Sequence, residues 1–128
     1  MIDHVSVAVR DLTAAARFYD AVLAVIGYQR FDTREKTMGW GKKYSEFWIN
    51  ARPALAPMSP DSGVHICLRA SSKDAVDAFH AAALANGGAS DGAPGPRKAD
   101  DPRYYAAFIR DPDGNRIEAV TFIAEADL

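Results

Sequence analysis

Apolar and polar residues alternate at the start of the chain. In "DHVSVAVRD" (3–11) Val5, Val7 and Val9 fall on one side and His4, Ser6 and Ala8 on the other, the signature of a half-buried strand with a valine face on the core. "LTAAARFYDAVLAVIG" (12–27) changes period: its alanine-rich run favours helix, Thr13 is placed to cap it and Gly27 to stop it. Three short strands follow, in "YQRFDTRE", around "MGWGKKY" and in "SEFWINA". Pro53, Pro57 and Pro60 mark a connector.

The pattern then begins again. "VHICLRA" (64–70) alternates, with Val64, Ile66 and Leu68 on one face and His65, Cys67 and Arg69 on the other. "SSKDAVDAFHAAALANGG" (71–88) reads as a capped amphipathic helix, and "GASDGAPGPRKADDPR" as a Gly/Pro-rich loop. "YYAAFIR" and "RIEAVTFI" are strands joined into a hairpin by "DPDGN", where Pro112 starts the turn and Gly114 and Asn115 tolerate positive φ. An ungapped offset of 61 residues lays His4 on His65, Phe18 on Phe79 and Gly27 on Gly88. The chain therefore reads as two copies of a strand–helix–strand–strand–strand unit. Module 1 covers about 1–52, a linker 53–62, and module 2 about 63–128.

Bulk properties narrow the function. At 128 residues this is one α+β domain built from two small halves. A net charge of −2 and the lack of a Lys/Arg run argue against nucleic acid, and no apolar stretch is long enough for a membrane span. One cysteine, Cys67, leaves no internal disulfide; its type suggests a buried strand residue in a reducing, cytoplasmic setting. Nucleotide-binding glycine loops and a nucleophile elbow are both absent.

The repeat concentrates the chemistry. Aligning the module ends puts Glu46 of "SEFWI" on Glu118 of "IEAVT", so each module carries a His in its first strand and a Glu in its last. His4, His65, Glu46 and Glu118 all fall opposite the apolar faces. Imidazole and carboxylate together suit Fe, Mn, Co, Ni or Zn, and an incompletely filled site leaves positions for a substrate oxygen. A lone strand histidine is more often structural than a ligand, and Glu118 alone could pair with Arg116 or Arg110 on an edge. The joint placement within a repeat is what raises the functional reading. His80, one residue after core Phe79, is expected at the helix surface, while Trp48, Tyr104 and Tyr105 are candidates to line a cavity and contact substrate.

"DHVSVAVRDLTAAARFYDAVLAVIGY", "VHICLRA" with its helix, and "YYAAFIRDPDGNRIEAV" resemble the vicinal oxygen chelate superfamily, which includes glyoxalase I, bleomycin-resistance proteins, extradiol dioxygenases and fosfomycin-resistance proteins. The resemblance implies two βαβββ modules forming an incomplete barrel around a central cavity and a divalent metal. It implies His4, His65 and Glu118 as metal ligands with Glu46 as a possible fourth, Glu118 or Glu46 as the proton-moving group, and a homodimer. The implied function is a glyoxalase-like lyase or isomerase acting on a small substrate with neighbouring oxygens. A bleomycin-resistance-type binder without catalysis is the alternative, and extradiol dioxygenase chemistry lacks a well-placed extra histidine.

Overall fold

Each helix starts where a short polar side chain can accept a backbone N–H. The computed structural model, which describes all 128 residues, begins α1 (Leu12–Ala24) at Asp11, whose carboxylate accepts from Ala14 N at 3.1 Å. Asp11, rather than Thr13, is therefore the cap; Thr13 already lies inside the first turn. Ser72 caps α2 (Lys73–Ala85) in the same way. The 61-residue offset maps one helix onto the other from first residue to last. It slips by one afterwards: Gly27 has φ +88°, and its conformational counterpart is Gly87 at +93°, not Gly88.

Two four-stranded sheets stand beside the helices. The first has the order β1 (Val5–Val9), β4 (Phe47–Ala51), β3 (Thr37–Gly41), β2 (Gln29–Thr33). The second has the order β5 (Ile66–Arg69), β8 (Arg116–Phe122), β7 (Asp101–Arg110), β6 (Ala89–Lys98). In both, the first strand of the module runs parallel to the last, and the rest are antiparallel. The sheets do not close on each other, so the chain has the two-module, incomplete-barrel architecture. Each sheet is covered on one face by its own helix, and the helices pack together between them. Phe18, Tyr19, Val22 and Leu23 of α1 and Val76, Phe79 and Ala83 of α2 are buried in this layer with Val9, Ile49, Ile109 and Ile117 from the strands. The opposite faces, called outer below, carry no other element.

One stretch departs from the sequence expectation. The Gly/Pro-rich segment read as a loop is the edge strand β6. Pro94 and Pro96 are tolerated because an edge strand needs hydrogen bonds on one side only, and the ladder to β7 shifts register at three places along them. Gly88, just before it, packs tightly against module 1 and its own sheet: a Cβ there would lie 2.7 Å from the Phe18 ring and 2.8 Å from Arg110 O.

The "DPDGN" turn does more than close a hairpin. Gly114 takes φ +94°, and Asp111 is buried, accepting from Tyr19 Oη of α1 at 2.6 Å and from Asn115 N and Nδ2 at 2.8 Å each. Asn115 Nδ2 also donates to Ala8 O, and Arg10 pairs with Asp113 at 2.9 Å while reaching Leu55 O and Ala56 O. The turn of module 2 thus clamps the first strand, first helix and connector of module 1. No helix is long and apolar enough to cross a membrane.

Candidate functional site

The parallel ladder of the second sheet pairs Cys67 with Glu118, and the antiparallel one pairs Phe108 with Glu118. Side chains on directly paired residues share a face, so Cys67, Phe108 and Glu118 all point outward, away from α2. His65 lies two residues before Cys67 and reaches the same face. Its Nε2 is 3.1 Å from Glu118 Oε1. Tyr104 Oη donates to the other oxygen, Oε2, at 2.5 Å. Glu118 is consequently a sheltered carboxylate, its side chain 3% exposed, with a defined partner on each oxygen.

The bland reading of Glu118 does not hold, because Arg110 and Arg116 turn instead to Asp91, at 3.8 and 3.6 Å. Neighbouring acids are affected by the Glu118 charge. The Tyr104 hydroxyl is held well above its ordinary range, first by its hydrogen bond to Glu118 and then by burial, so it remains a proton donor. Partial burial, then the Glu118 charge, pushes the Cys67 thiol up to about 12. Cys67 itself is exposed, contrary to the reading of it as a buried hydrophobe: alternation, not residue type, decides its side.

The first sheet offers a different set. His4 stands just before β1, 57% exposed, with Nδ1 2.7 Å from Asp3 Oδ2. A carboxylate on Nδ1 fixes the proton there and leaves Nε2 free to ligate. His4, Ser6, Trp48, Arg34, Thr37 and Ser45 line an outer-face hollow of about 400 Å³. Trp48 lies under the Arg34 guanidinium, 5.0 Å from its ring centre.

Glu46 does not join this face as Glu118's equivalent. In the parallel ladders Ser6 pairs with Trp48 and Cys67 with Glu118. Since Ser6 and Cys67 are equivalent at the 61-residue offset, Trp48 occupies the position corresponding to Glu118. Aligning the modules by their ends misplaced Glu46 by two residues. It precedes β4, and its Oε1 accepts from Lys42 N at 3.3 Å. With His4 and His65 it borders a cleft of about 400 Å³ between the starts of the two modules.

Tyr105 is also separated from the Glu118 face. It is buried on the helix side of the second sheet, where its hydroxyl donates to Asp77 of α2. His80 lies on α2 with Nε2 2.8 Å from Ser90 Oγ.

The donor types suit a divalent cation: imidazole nitrogens and a carboxylate, with Asp3 behind one and Tyr104 behind another. Their number within one chain does not. His65 and Glu118 meet, but no three His, Cys, Asp or Glu side chains gather closely enough to hold a metal.

The sequence places Tyr104 as a cavity-lining, substrate-contacting side chain and gives no sign of its bond to Glu118. Nor does it single out Phe108 or Phe122. Hairpin counting would have found both, because Phe108 and Glu118, like Tyr104 and Phe122, are equidistant from Asp113 and pair across β7 and β8.

Two βαβββ modules with open outer faces and a His–Glu pair on the second of them define a paired-module, open-sheet class. The chain belongs to the Glyoxalase/Bleomycin resistance protein/Dioxygenase superfamily, whose family model matches residues 1–119. It is 34% identical to a glyoxalase/bleomycin resistance protein from Albidiferax ferrireducens T118, over 92% of this chain and 96% of that one, with a TM-score of 0.80. A glyoxalase/bleomycin resistance protein/dioxygenase family enzyme from Burkholderia phytofirmans PsJN is 21% identical over 95% of this chain and 98% of that one, TM-score 0.71. The fosfomycin resistance protein of Listeria monocytogenes shares the fold at 17% identity, covering 100% of this chain and 98% of that one, TM-score 0.69. No curated protein matches the sequence.

Proposed function

We propose that this protein is a metal-dependent lyase or isomerase of glyoxalase type, acting on a small substrate with neighbouring oxygens, in a site completed between two copies of the chain. The observation that carries this reading is the His65–Glu118 pair, a sheltered carboxylate 3.1 Å from an exposed imidazole on an uncovered sheet face. His65 and Glu118 of one copy, with His4 of the other, would hold the cation. The two open outer faces of one chain each carry part of this set, which supports a homodimer in which first and second sheets of different copies face each other.

A divalent cation held by these three side chains would supply polarisation of neighbouring substrate oxygens and stabilisation of developing negative charge. The chain's own groups do the rest. Tyr104 fixes Glu118 by its Oε2, leaving Oε1 on the His65 side as the oxygen that would hold the cation and that, once released from it, would take a proton from substrate carbon and return it to the adjacent carbon. The Asp3 carboxylate orients His4. Trp48, in the place of a second carboxylate, gives the facing wall an apolar surface against the substrate body and leaves proton transfer to Glu118. With Glu46 turned to the Lys42 amide, the ligand set has three members.

The alternative is a non-catalytic binder of bleomycin-resistance type using Trp48 and Tyr104 as contact surfaces. One observation favours it: within a chain only two of the donors meet. Elemental mass spectrometry on protein purified without added metal or chelator separates the two, run beside His65→Ala. Stoichiometric Fe, Mn, Ni, Co or Zn, lost in the variant, supports the enzyme. A wild type that neither contains nor takes up metal supports the binder.

A further inference from the structure

A second cavity lies on the helix side of the second sheet, behind β8 rather than on the Glu118 face. It measures about 410 Å³, within the range of small-ligand pockets, and is walled by the start of α2, the end of β8 and the chain's last turn.

Thr121 of β8 lines it and is the residue to explain. Its side chain shares the helix side with that of Tyr105, its ladder partner, and it is only 6% exposed. Its hydroxyl has no hydrogen-bond partner in the chain and opens to the cavity. A valine would fill the same space with no oxygen to satisfy.

The groups beside it are equally free. Ser72 Oγ accepts from Ala75 N, which leaves the Lys73 and Asp74 N–H groups of the first turn without acceptors. The Lys73 ammonium stands over the Tyr105 ring, 5.3 Å from its centre, and pairs with no carboxylate. Because Tyr105 and Thr121 are ladder partners, the cation, the hydroxyl and the helix start share one wall. Asp127, in the turn Glu125–Asp127, is the one carboxylate of the lining, and it too has no ion pair. Asp77 is held by the Tyr105 hydroxyl, and Asp74 is exposed outside the lining. A lone anion would meet Asp127; a lone cation would meet Lys73 and the positive end of α2. A molecule carrying both charges satisfies all of these groups.

We infer that this cavity binds a small α-amino acid with an apolar side chain. Its carboxylate takes the free N–H groups of the helix start, the Lys73 ammonium and the Thr121 hydroxyl. Its ammonium takes Asp127, and its side chain lies against Ile123 and Ala124. The site stands apart from the proposed metal reaction, since it contains none of His4, His65 and Glu118.

The test is a ¹H–¹⁵N NMR titration with three probes: L-leucine, 4-methylpentanoate, which lacks the ammonium, and isopentylamine, which lacks the carboxylate. Leucine is expected to shift the amides of Lys73, Asp74, Thr121 and Asp127. Each truncated probe should bind about tenfold or more weakly. Thr121→Val keeps shape and burial and should weaken leucine binding about tenfold. Asp127→Asn, at an exposed position, should weaken leucine while 4-methylpentanoate binds as before or tighter. No shifts at these amides, a truncated probe that binds as tightly as leucine, or full leucine affinity in either variant would overturn the assignment.

Discussion

Tyr104 donates its hydroxyl to Glu118 Oε2 across two neighbouring strands, while His65 lies against Oε1 of the same carboxylate. Removing the hydroxyl would leave a sheltered charged oxygen without a donor. Tyr104→Phe should therefore cost about 1.5–3 kcal/mol, the range for a hydrogen bond to a charged group. Glu118→Gln should cost less, and the double variant less than the two singles together, with a coupling of at least about 0.5 kcal/mol. Urea denaturation of the four proteins measures this. Strict additivity would show that the two side chains do not act as a unit.

Asp111 holds the modules together. Its carboxylate is 4% exposed and accepts from Tyr19, Asn115 and the Asp113 amide. Asp111→Ala strands the Tyr19 hydroxyl in the core together with several turn N–H groups, so a loss of about 3 kcal/mol or more is expected. Arg10→Ala breaks the more exposed half of the same clamp and should cost about 1 kcal/mol or less from its ion pair, with somewhat more from its two carbonyl contacts. If denaturant midpoints rank Arg10→Ala as the more damaging, the buried carboxylate is not the keystone.

These contacts mark where the sequence stops being informative. Alternation in 3–11 and the helical period of 12–27 depend on neighbours in the chain, so β1, α1 and their repeats could be read directly. β6 could not: its glycines and prolines argue locally for a loop, and only its pairing with β7 makes it a strand. Glu46 failed for a related reason. A count from module ends cannot see the length of the connections, whereas the ladders put Trp48 opposite Ser6 and so at Glu118's position. Arg10–Asp113 and Asn115–Ala8 join residues more than a hundred positions apart, and no local pattern announces them.

Two buried tyrosines set the alkaline limit of stability. Burial, then the Asp111 charge, holds the Tyr19 hydroxyl well above its usual value. Burial and then its bond to Asp77 raise Tyr105 to about 12. Both folded values exceed the unfolded value of about 10. The stabilising contribution is therefore complete below about pH 10 and is lost as pH rises toward the folded values, between about 10 and 12 for Tyr105. Urea midpoints should begin to fall near pH 9, where the Cys67 thiol, raised to about 12 in the fold, starts to ionise in the unfolded chain, and fall more steeply beyond pH 10. Tyr19→Phe, less stable at neutral pH, should show a shallower fall there; an equal slope would remove Tyr19 from the account.

The proposed sharing of ligands between two copies makes a sharp prediction. His4→Ala damages the first sheet's contribution to a site and Glu118→Ala the second's. If each site draws on both copies, homodimers of either variant bind no metal. Unfolding and refolding the two together gives mixed dimers in which one of the two sites combines the intact first sheet of one copy with the intact second sheet of the other. With random pairing, about a quarter of all sites should regain metal. Elemental mass spectrometry after desalting, beside light scattering to confirm the dimer, reads the result. A site built within a single chain would regain none, because every chain in the mixture carries one damaged half.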